Sequence, residues 1–298
     1  MRRRTRHLAA AALALTVVGV SVAAAQNTDA LHLQARELLR RNDVAAALPL
    51  FENCVAAEPT NSRHRQWLGR ARGLQTAQKG IAAGIGGVNK VKAEFEKAIE
   101  LDPNNLEARH DLAVLYRVMP HLFGGSNAKA AEQVAIIRQK DPALATQIEA
   151  DFLARDKKPR EAIAMHEKSI RLNPARPRPH VSIAILYQGL KEWEKSFAAL
   201  DRALALDPKY PIALYQLGRT ASLSGAQLDR GEKALRTYLA LPIRPELEYP
   251  PLASAHHRLG GILEKKGDRQ AARAEYETAL RIDPAHKDSR AALEDLKR

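Results

Sequence analysis

The sequence predicts an all-α protein in which about seven helical hairpins stack into a solenoid, and three observations lead to this prediction. Near-copies of one phrase recur along the chain, among them FEKAIELDPNN from Phe95 and YETALRIDPAH from Tyr276. A proline ends each copy at a regular spacing. Within each copy, small and large side chains return at intervals of three and four residues, which is the period of one helix face.

The first 25 residues have the layout of a secretory signal peptide. Four arginines within the first six residues precede an apolar run from Leu8 to Val22, and small residues place a cleavage site between Ala25 and Gln26. The run is shorter than the roughly 20 residues that span a bilayer, which argues against an uncleaved anchor. We therefore expect a bacterial protein that is secreted or periplasmic and has no stable membrane insertion after cleavage.

The charge of the chain is strongly basic. Its 47 Lys and Arg residues exceed its 34 Asp and Glu residues, for a formal net charge of +13 at pH 7. Loss of residues 1–25 removes four arginines and no acidic residue, which lowers this charge to about +9. Outside the cytoplasm, a protein of this charge is expected to meet anionic partners.

The prolines define the repeat. Two of their separations equal 34 residues, and the prolines that end the copies are Pro59, Pro103, Pro142, Pro174, Pro208, Pro242 and Pro284. A large residue usually lies eight positions before the proline, and small residues lie five and twelve positions before it. The small positions let a neighbouring helix come close, the large residue fills the remaining space, and the proline ends the helix.

A second helical phrase lies upstream in each copy, as in WLGRA from Trp67 and RLGGIL from Arg258. Together with the pattern Ala-x3-Phe-x2-Ala-x4-Pro, it resembles the tetratricopeptide repeat, a 34-residue helix–turn–helix unit, most fully between Ala253 and Pro284. The resemblance covers about 28–284. It implies a right-handed superhelical solenoid over 26–284, with repeats ending at the prolines above, and a capping helix over 285–298.

Two of the three copies that are longer than 34 residues carry the glycine-rich insertions TAQKGIAAGIGGVNK and VMPHLFGGSNAK. The same turn of neighbouring repeats falls on the same edge, so we predict adjacent loops at 79–90 and 120–129. The second insertion resembles a Gly-Gly-Ser turn of exported bacterial proteins of this family, which implies no biochemical function. One interpretation is an anion site, and the favoured alternative is ordinary turn chemistry. The residues available are Gly86, Gly87, Lys90, His121, Gly124, Gly125, Ser126 and Lys129.

No catalytic or metal motif stands out. The chain has no HExxH, Cys-x2-Cys or Gly-x-Ser-x-Gly pattern. His32, His110 and His257 share a repeat phase but lie in separated repeats, so they are not expected to share a metal ion. Cys54 is the single cysteine, which excludes an internal disulfide, and its helix position predicts a small core residue. We predict no enzyme activity, no metal and no cofactor.

The family resemblance implies that the first helix of each hairpin lines a concave groove that binds a partner. The family's groove positions, transferred to the matching positions of each copy, give these groove residues: His32, Arg36, Arg40, Arg63, Gln66, Arg70, His110, Arg117, Arg155, Tyr215 and Arg219. The early groove is rich in arginine, which pairs well with carboxylates, so an acidic or amphipathic peptide is the expected partner. The alternative for each arginine is a solvated surface charge.

These observations predict a non-enzymatic exported scaffold that binds a protein or peptide in its groove. The alternative is a periplasmic accessory of a transport or cell-envelope system that binds a small ligand or a glycan. A nucleic-acid partner is not expected, because the export signal and the scarcity of interleaved aromatic residues argue against it.

Overall fold

The structure is a computed structural model that describes residues 28–80, 84–244 and 247–297. These residues form fifteen α-helices, a single turn of 3-10 helix at His121–Phe123 and no strand. The helices are α1 (residues 28–40), α2 (Val44–Ala57), α3 (Ser62–Lys79), α4 (Gly84–Leu101), α5 (Leu106–Val118), α6 (Asn127–Lys140), α7 (Pro142–Arg155), α8 (Pro159–Leu172), α9 (Pro177–Gly189), α10 (Trp193–Leu206), α11 (Pro211–Ser224), α12 (Leu228–Leu239), α13 (Leu252–Lys265), α14 (Arg269–Ile282) and α15 (Lys287–Asp295). The predicted all-α class is confirmed.

The helices are grouped into two compact units. The first takes in the described residues up to Leu38 together with Val44–Asn105, and the second takes in Leu39–Asp43 and Leu106–Arg298. In the first unit, α3 packs on α2 and on α4. In the second unit, each helix from α5 to α15 packs on the next, and α7, α9, α11 and α13 also touch in succession. First helices of successive hairpins thus form one layer, as stacked hairpins require.

The prolines lie where helices end. Helices α4, α10 and α14 each end two residues before a proline, namely Pro103, Pro208 and Pro284. Proline cannot continue a helix, and it also disfavours helical geometry in the residue before it. At Pro142 the arrangement differs, because this proline starts α7 directly, with Asp141 as the N-cap residue. Proline is well suited to the first position of a helix, where no backbone N–H is needed.

The small and large positions of the repeat face each other across each hairpin. A Cβ atom on Gly69 of α3 would lie 2.6 Å from Cε1 of Phe95 on α4, and one on Gly260 of α13 would lie 2.6 Å from Cε1 of Tyr276 on α14. Phe95 and Tyr276 are the large residues eight positions before their prolines. The glycine therefore makes the space that the large side chain of the second helix fills, which is ordinary close packing in a protein core.

The predicted loop at 79–90 is wrong over its second half. Helix α4 begins at Gly84, so Gly86, Gly87 and Lys90 lie in its first two turns. Residues 81–83 lie outside the described part. Glycine is a poor helix former, which is why the sequence predicted a turn. However, Val88 begins the buried face of α4, and burial of this face outweighs the low propensity of the glycines.

The segment 120–129 begins as a turn, as predicted, and continues into a helix. The 3-10 turn His121–Phe123 ends at Gly124, whose φ of 85° is left-handed and favours glycine. A Cβ on Gly125 would lie only 1.8 Å from the carbonyl oxygen of Met119, so the backbone passes too closely for any other residue. Ser126 is the N-cap of α6, because its side chain accepts a hydrogen bond from the backbone N–H of Lys129.

Candidate functional site

The predicted groove residues are divided between the two units. Those of the first unit are His32, Arg36, Arg63, Gln66 and Arg70, and those of the second are Arg40, His110, Arg117, Arg155, Tyr215 and Arg219. The two glycine-rich segments are divided in the same way, so their predicted adjacency stays a prediction.

A stripe of α3 combines cationic and aromatic side chains. Arg63, Trp67 and Arg70 are spaced by four and three residues and so share one face of the helix. Arg63 is exposed, whereas Trp67 and Arg70 are half-buried. The guanidinium carbon of Arg70 lies 4.9 Å from the centre of the Trp67 ring, and that of the buried Arg36 on α1 lies 4.1 Å from it. Both distances are typical of cation–π contacts.

A buried cluster of His32, Cys54 and His64 lies beside this stripe, since the His32 and Trp67 ring centres are 5.9 Å apart. The three side chains come from α1, α2 and α3 and are 3%, 0% and 2% exposed. One nitrogen of each imidazole and the cysteine sulfur all lie within 4.8 Å of one another. His32 therefore faces the interior of the first unit rather than an open groove.

Two contacts fix the orientation of the His64 ring within this cluster. Its Nδ1 lies 3.1 Å from Nδ1 of His32, and its Nε2 lies 3.2 Å from Oε2 of Glu58. The second contact places the ring beside a carboxylate whose negative charge favours the protonated imidazole. Glu58 is itself held by the side-chain amide of Asn61, which donates to the same carboxylate oxygen at 2.8 Å. Asn61 also caps α3 by accepting from the backbone N–H groups of Arg63 and His64.

The surroundings keep the cluster uncharged at neutral pH. Burial, reinforced by His64 and by the positive charges of Arg63 and Arg36, lowers the pKa of His32 to about 3. Burial also lowers the pKa of His64, against the opposing effect of Glu58. Burial raises the pKa of the Cys54 thiol. Two neutral imidazoles and a thiol are the resulting state, and each neutral ring keeps one nitrogen lone pair.

The sequence interpretation missed this cluster. It assigned Cys54 to the core, which the full burial of the side chain matches, but it did not associate Cys54 with His32 or consider His64. A signal was present. His32 and His64 are 32 residues apart, close to one repeat, so they lie at nearly the same height on neighbouring first helices. Cys54 occupies the small position of the helix between them.

In the second unit, several predicted groove arginines are engaged in internal contacts. Arg117 binds both carboxylate oxygens of Asp156, at 2.5 and 2.6 Å, and lies over the Phe152 ring at 5.7 Å. Arg219 donates to the side-chain oxygen of Gln188. Arg40 is buried, donates to the Tyr238 carbonyl at 3.2 Å and lies 5.0 Å from the centre of that ring.

The remaining predicted groove residues have varied surroundings. Arg155 is exposed at the end of α7, and His110 is half-buried on α5. Tyr215 is buried, with its ring 6.0 Å from that of Tyr238. In the first unit, Gln66 is buried and its side-chain oxygen lies 3.4 Å from the amide nitrogen of Asn105.

A cavity of about 700 Å³ lies among α5, α6, α7 and α8 of the second unit. Its lining is mainly apolar and includes Val134, Phe152 and Met165. Arg138 also lines it but forms an ion pair with Glu149. The cavity therefore favours an apolar side chain over a charged or heavily hydroxylated ligand.

The segments 94–140 and 253–286 match the tetratricopeptide repeat family. Human protein O-mannosyl-transferase TMTC1 is 31% identical over 106 residues, which are 35% of this chain and 12% of that protein. The chain thus spans about an eighth of the length of this curated relative.

Solved structures show the same architecture. A tetratricopeptide repeat protein from Parabacteroides merdae is 15% identical and has a TM-score of 0.50, with 92% of this chain and 100% of that chain covered. The human IFIT1 dimer with m7Gppp-AAAA is 16% identical and has a TM-score of 0.57, with 85% of this chain and 59% of that chain covered. At these identities the likeness concerns the fold alone. Family matches and fold agree: the segments 94–140 and 253–286 are tetratricopeptide repeats within an all-α fold of stacked helical hairpins.

Proposed function

We propose that the chain is a non-enzymatic exported scaffold, and that the α3 stripe of Arg63, Trp67 and Arg70 binds an acidic or amphipathic segment of a partner protein. The tetratricopeptide fold supports a protein-interaction scaffold in general. The observation that carries the specific proposal is the placement of Arg70 against the ring of Trp67, with Arg63 exposed one turn before that tryptophan.

The stripe offers two kinds of contact within one short stretch of helix. The guanidinium groups can pair with carboxylates through two parallel hydrogen bonds, while the indole ring offers apolar area. Arg70 and the buried Arg36 are held against the ring, so less side-chain freedom is lost when a partner binds. A segment in which acidic and apolar residues alternate complements this surface.

The export part of the proposal rests on the sequence of residues 1–25, which lie outside the described residues. The four arginines, the apolar run and the small residues before Gln26 support it. None of the described helices has the combination of length and apolarity needed to cross a bilayer. Intact mass of the protein recovered from the periplasm or the medium should correspond to a chain that starts at Gln26. A full-length mass in the cytoplasm would contradict export.

Transferase activity is not proposed. The relative that carries this name is matched over 106 residues, which are 12% of its length. The match adds to the evidence for repeats and carries no information about catalysis elsewhere in that protein.

The binding proposal can be tested with a charge-reversal pair and a matched control. In R63E/R70E the stripe becomes acidic, whereas K79E/K97E makes the same change in net charge on α3 and α4, away from Trp67. We expect a fluorescent peptide of alternating glutamate and leucine to bind the wild type and the control, more weakly as salt increases, and to lose binding in R63E/R70E. Equal binding by all three proteins would move the site away from α3.

The cavity of the second unit favours a second candidate, the small-ligand accessory. Because its lining is mainly apolar and Arg138 is paired with Glu149, it suits an apolar ligand better than a glycan. Met165→Trp should fill the cavity, and loss of a retained ligand in this variant, with R63E/R70E unaffected, would favour this function over the scaffold.

A further inference from the structure

We propose that His32, Cys54 and His64 form a binding site for one thiophilic d10 metal ion, Zn²⁺ or Cu⁺. Two imidazole nitrogens and one cysteine sulfur are ligands that both ions accept, whereas Mg²⁺ and Ca²⁺ prefer oxygen. The site is distinct from the α3 stripe, and it does not depend on the proposed scaffold function.

The distances in the cluster fit a small coordination sphere. Two nitrogen ligands at about 2.0–2.1 Å from a tetrahedral Zn²⁺ ion lie roughly 3.3 Å apart. The Nδ1 atoms of His32 and His64 are 3.1 Å apart. The ligand atoms of the three residues lie within 4.8 Å of one another, so the sulfur needs to move by only about 1 Å to reach bonding distance from the ion.

The polar atoms of the cluster are otherwise poorly satisfied. Nε2 of His32 is buried and has no hydrogen-bond partner, whereas Nε2 of His64 has the Glu58 carboxylate 3.2 Å away. Cys54 Sγ makes one weak contact, 3.6 Å from the carbonyl oxygen of Thr28. Buried polar groups usually find partners, and the unpartnered Nε2 of His32 shows that protein groups do not fully satisfy this imidazole. A metal ion bound by one nitrogen of each imidazole and by the Cys54 sulfur would be a common partner for the three ligand atoms that converge.

The outer partners have the arrangement that metal sites use. Histidine ligands commonly present their second nitrogen to a carboxylate, which orients the ring and strengthens it as a donor. His64 presents Nδ1 to His32 and places Nε2 3.2 Å from the Glu58 carboxylate. Asn61 in turn holds that carboxylate. The chain Asn61–Glu58–His64 therefore fixes one ligand before any ion binds.

The charges near the site limit the class of ion. When the ion binds, Cys54 releases its thiol proton to solvent. The resulting thiolate and two neutral imidazoles carry one negative charge, which neutralises Cu⁺ and leaves Zn²⁺ with one positive charge. Glu58 adds a negative charge beside His64, while the positive charges of Arg36 and Arg63 act on His32. These charges favour an ion of low charge with a thiolate ligand, and three protein ligands suffice for either ion.

The test uses the full chain, purified without an added histidine tag and reduced under anaerobic conditions. Titration with Zn²⁺, with Cu⁺ and with Mg²⁺ measures stoichiometry and affinity. We expect one equivalent of Zn²⁺ or Cu⁺ to bind, no Mg²⁺ to bind, and binding to fall more than 100-fold in C54S and in H32Q. The control H121Q changes an exposed histidine of the second unit and should bind like the wild type. The two ions are distinguished by which titration saturates at one equivalent.

Two further measurements keep the proposal testable if a core variant fails to fold. Co²⁺ added to the wild type should give a thiolate-to-cobalt charge-transfer band in the near ultraviolet, and Zn²⁺ should displace it. E58Q keeps all three ligands and should weaken binding about 10- to 100-fold. If the wild type binds neither Zn²⁺ nor Cu⁺ at one equivalent, the site is overturned, and absence of the cobalt–thiolate band would overturn its assignment to Zn²⁺. Unchanged affinity in E58Q would overturn the role of Glu58.

Discussion

Substitution of Gly69 by alanine tests the packing rule that defines the hairpins. A Cβ at this position would lie 2.6 and 2.8 Å from two ring atoms of Phe95 and 3.2 Å from Cβ of Glu94. Phe95 is 5% exposed, and Glu94 is anchored by ion pairs to Arg65 and Arg72, so neither neighbour can move without disturbing others. We therefore expect G69A to strain the contact between α3 and α4.

The magnitude follows from a comparison with Gly73 on the same helix. A Cβ on Gly73 would meet Val91 Cγ1 at 3.8 Å, which is ordinary van der Waals contact. Both substitutions gain about 1 kcal/mol of helix propensity, and overpacking at Gly69 costs about 1–3 kcal/mol. The free energy of unfolding of G69A should thus be about 1–3 kcal/mol below that of G73A.

Urea denaturation followed by tryptophan fluorescence measures this difference. The chain has two tryptophans, and in a W193F background the remaining Trp67 reports on α3, where its ring lies 6.2 Å from that of Phe51. The slope of the transition should be the same for both variants, so that the midpoints reflect stability. If G69A proves as stable as G73A, the glycine is not required for close helix contact, and the explanation of the repeat pattern is wrong.

Three other predictions concern single positions. G86A should raise the free energy of unfolding by about 0.5–1 kcal/mol, because Gly86 lies inside α4 and an added Cβ would meet open space. A lower melting temperature for G86A would instead argue for the loop that the sequence predicted. N61A should lower the free energy of unfolding by about 0.5–2 kcal/mol, because α3 loses its N-cap. N61D keeps a capping oxygen and should recover most of the lost stability in the same assay. Burial beside Arg258 lowers the pKa of His257 from 6.5 to about 4, so the unfolded chain binds a proton more readily than the folded chain does. The free energy of unfolding should therefore fall as the pH drops from about 6.5 to 4, and this fall should be smaller in H257Q.

Much of the fold was predictable because it depends on residues at fixed intervals. The pairing of Gly260 with Tyr276 and the helix ends before Pro208 and Pro284 follow from local rules of close packing and of proline geometry. These rules need only the position of a residue within its repeat. The sequence contains that information many times over.

The start of α4 was not predictable in this way. Paired glycines usually indicate a turn, and local propensity alone favours one at Gly86 and Gly87. The helix forms because Val88 and Val91 extend its buried face towards the N-terminus, where α3 covers it. Tertiary packing decides whether such a segment becomes a helix or a turn. In a single sequence, the only sign of that packing is the spacing of the apolar residues.

The predicted groove shows a similar limit. Arg63 and Arg70 are seven residues apart on α3 and so share a face, but the repeat positions could not show that Arg36 would be buried or that Arg117 would bind Asp156. The position of a residue within its repeat predicts the helix face on which it lies. The length and charge of neighbouring side chains then decide whether that residue stays available to a partner.

Function is expected where the repeat departs from its own pattern. The position of Cys54 is occupied in the other copies by Ala98, Ile137, Ser169, Ala203, Thr237 and Ala279, none of which offers a thiolate. If packing alone set this position, alanine or serine would serve equally well in the first copy. The thiol instead lies beside two imidazoles that present lone pairs and lack full hydrogen bonding. C54A should therefore leave the helical content intact while abolishing metal binding, which separates the packing role of this residue from its chemistry.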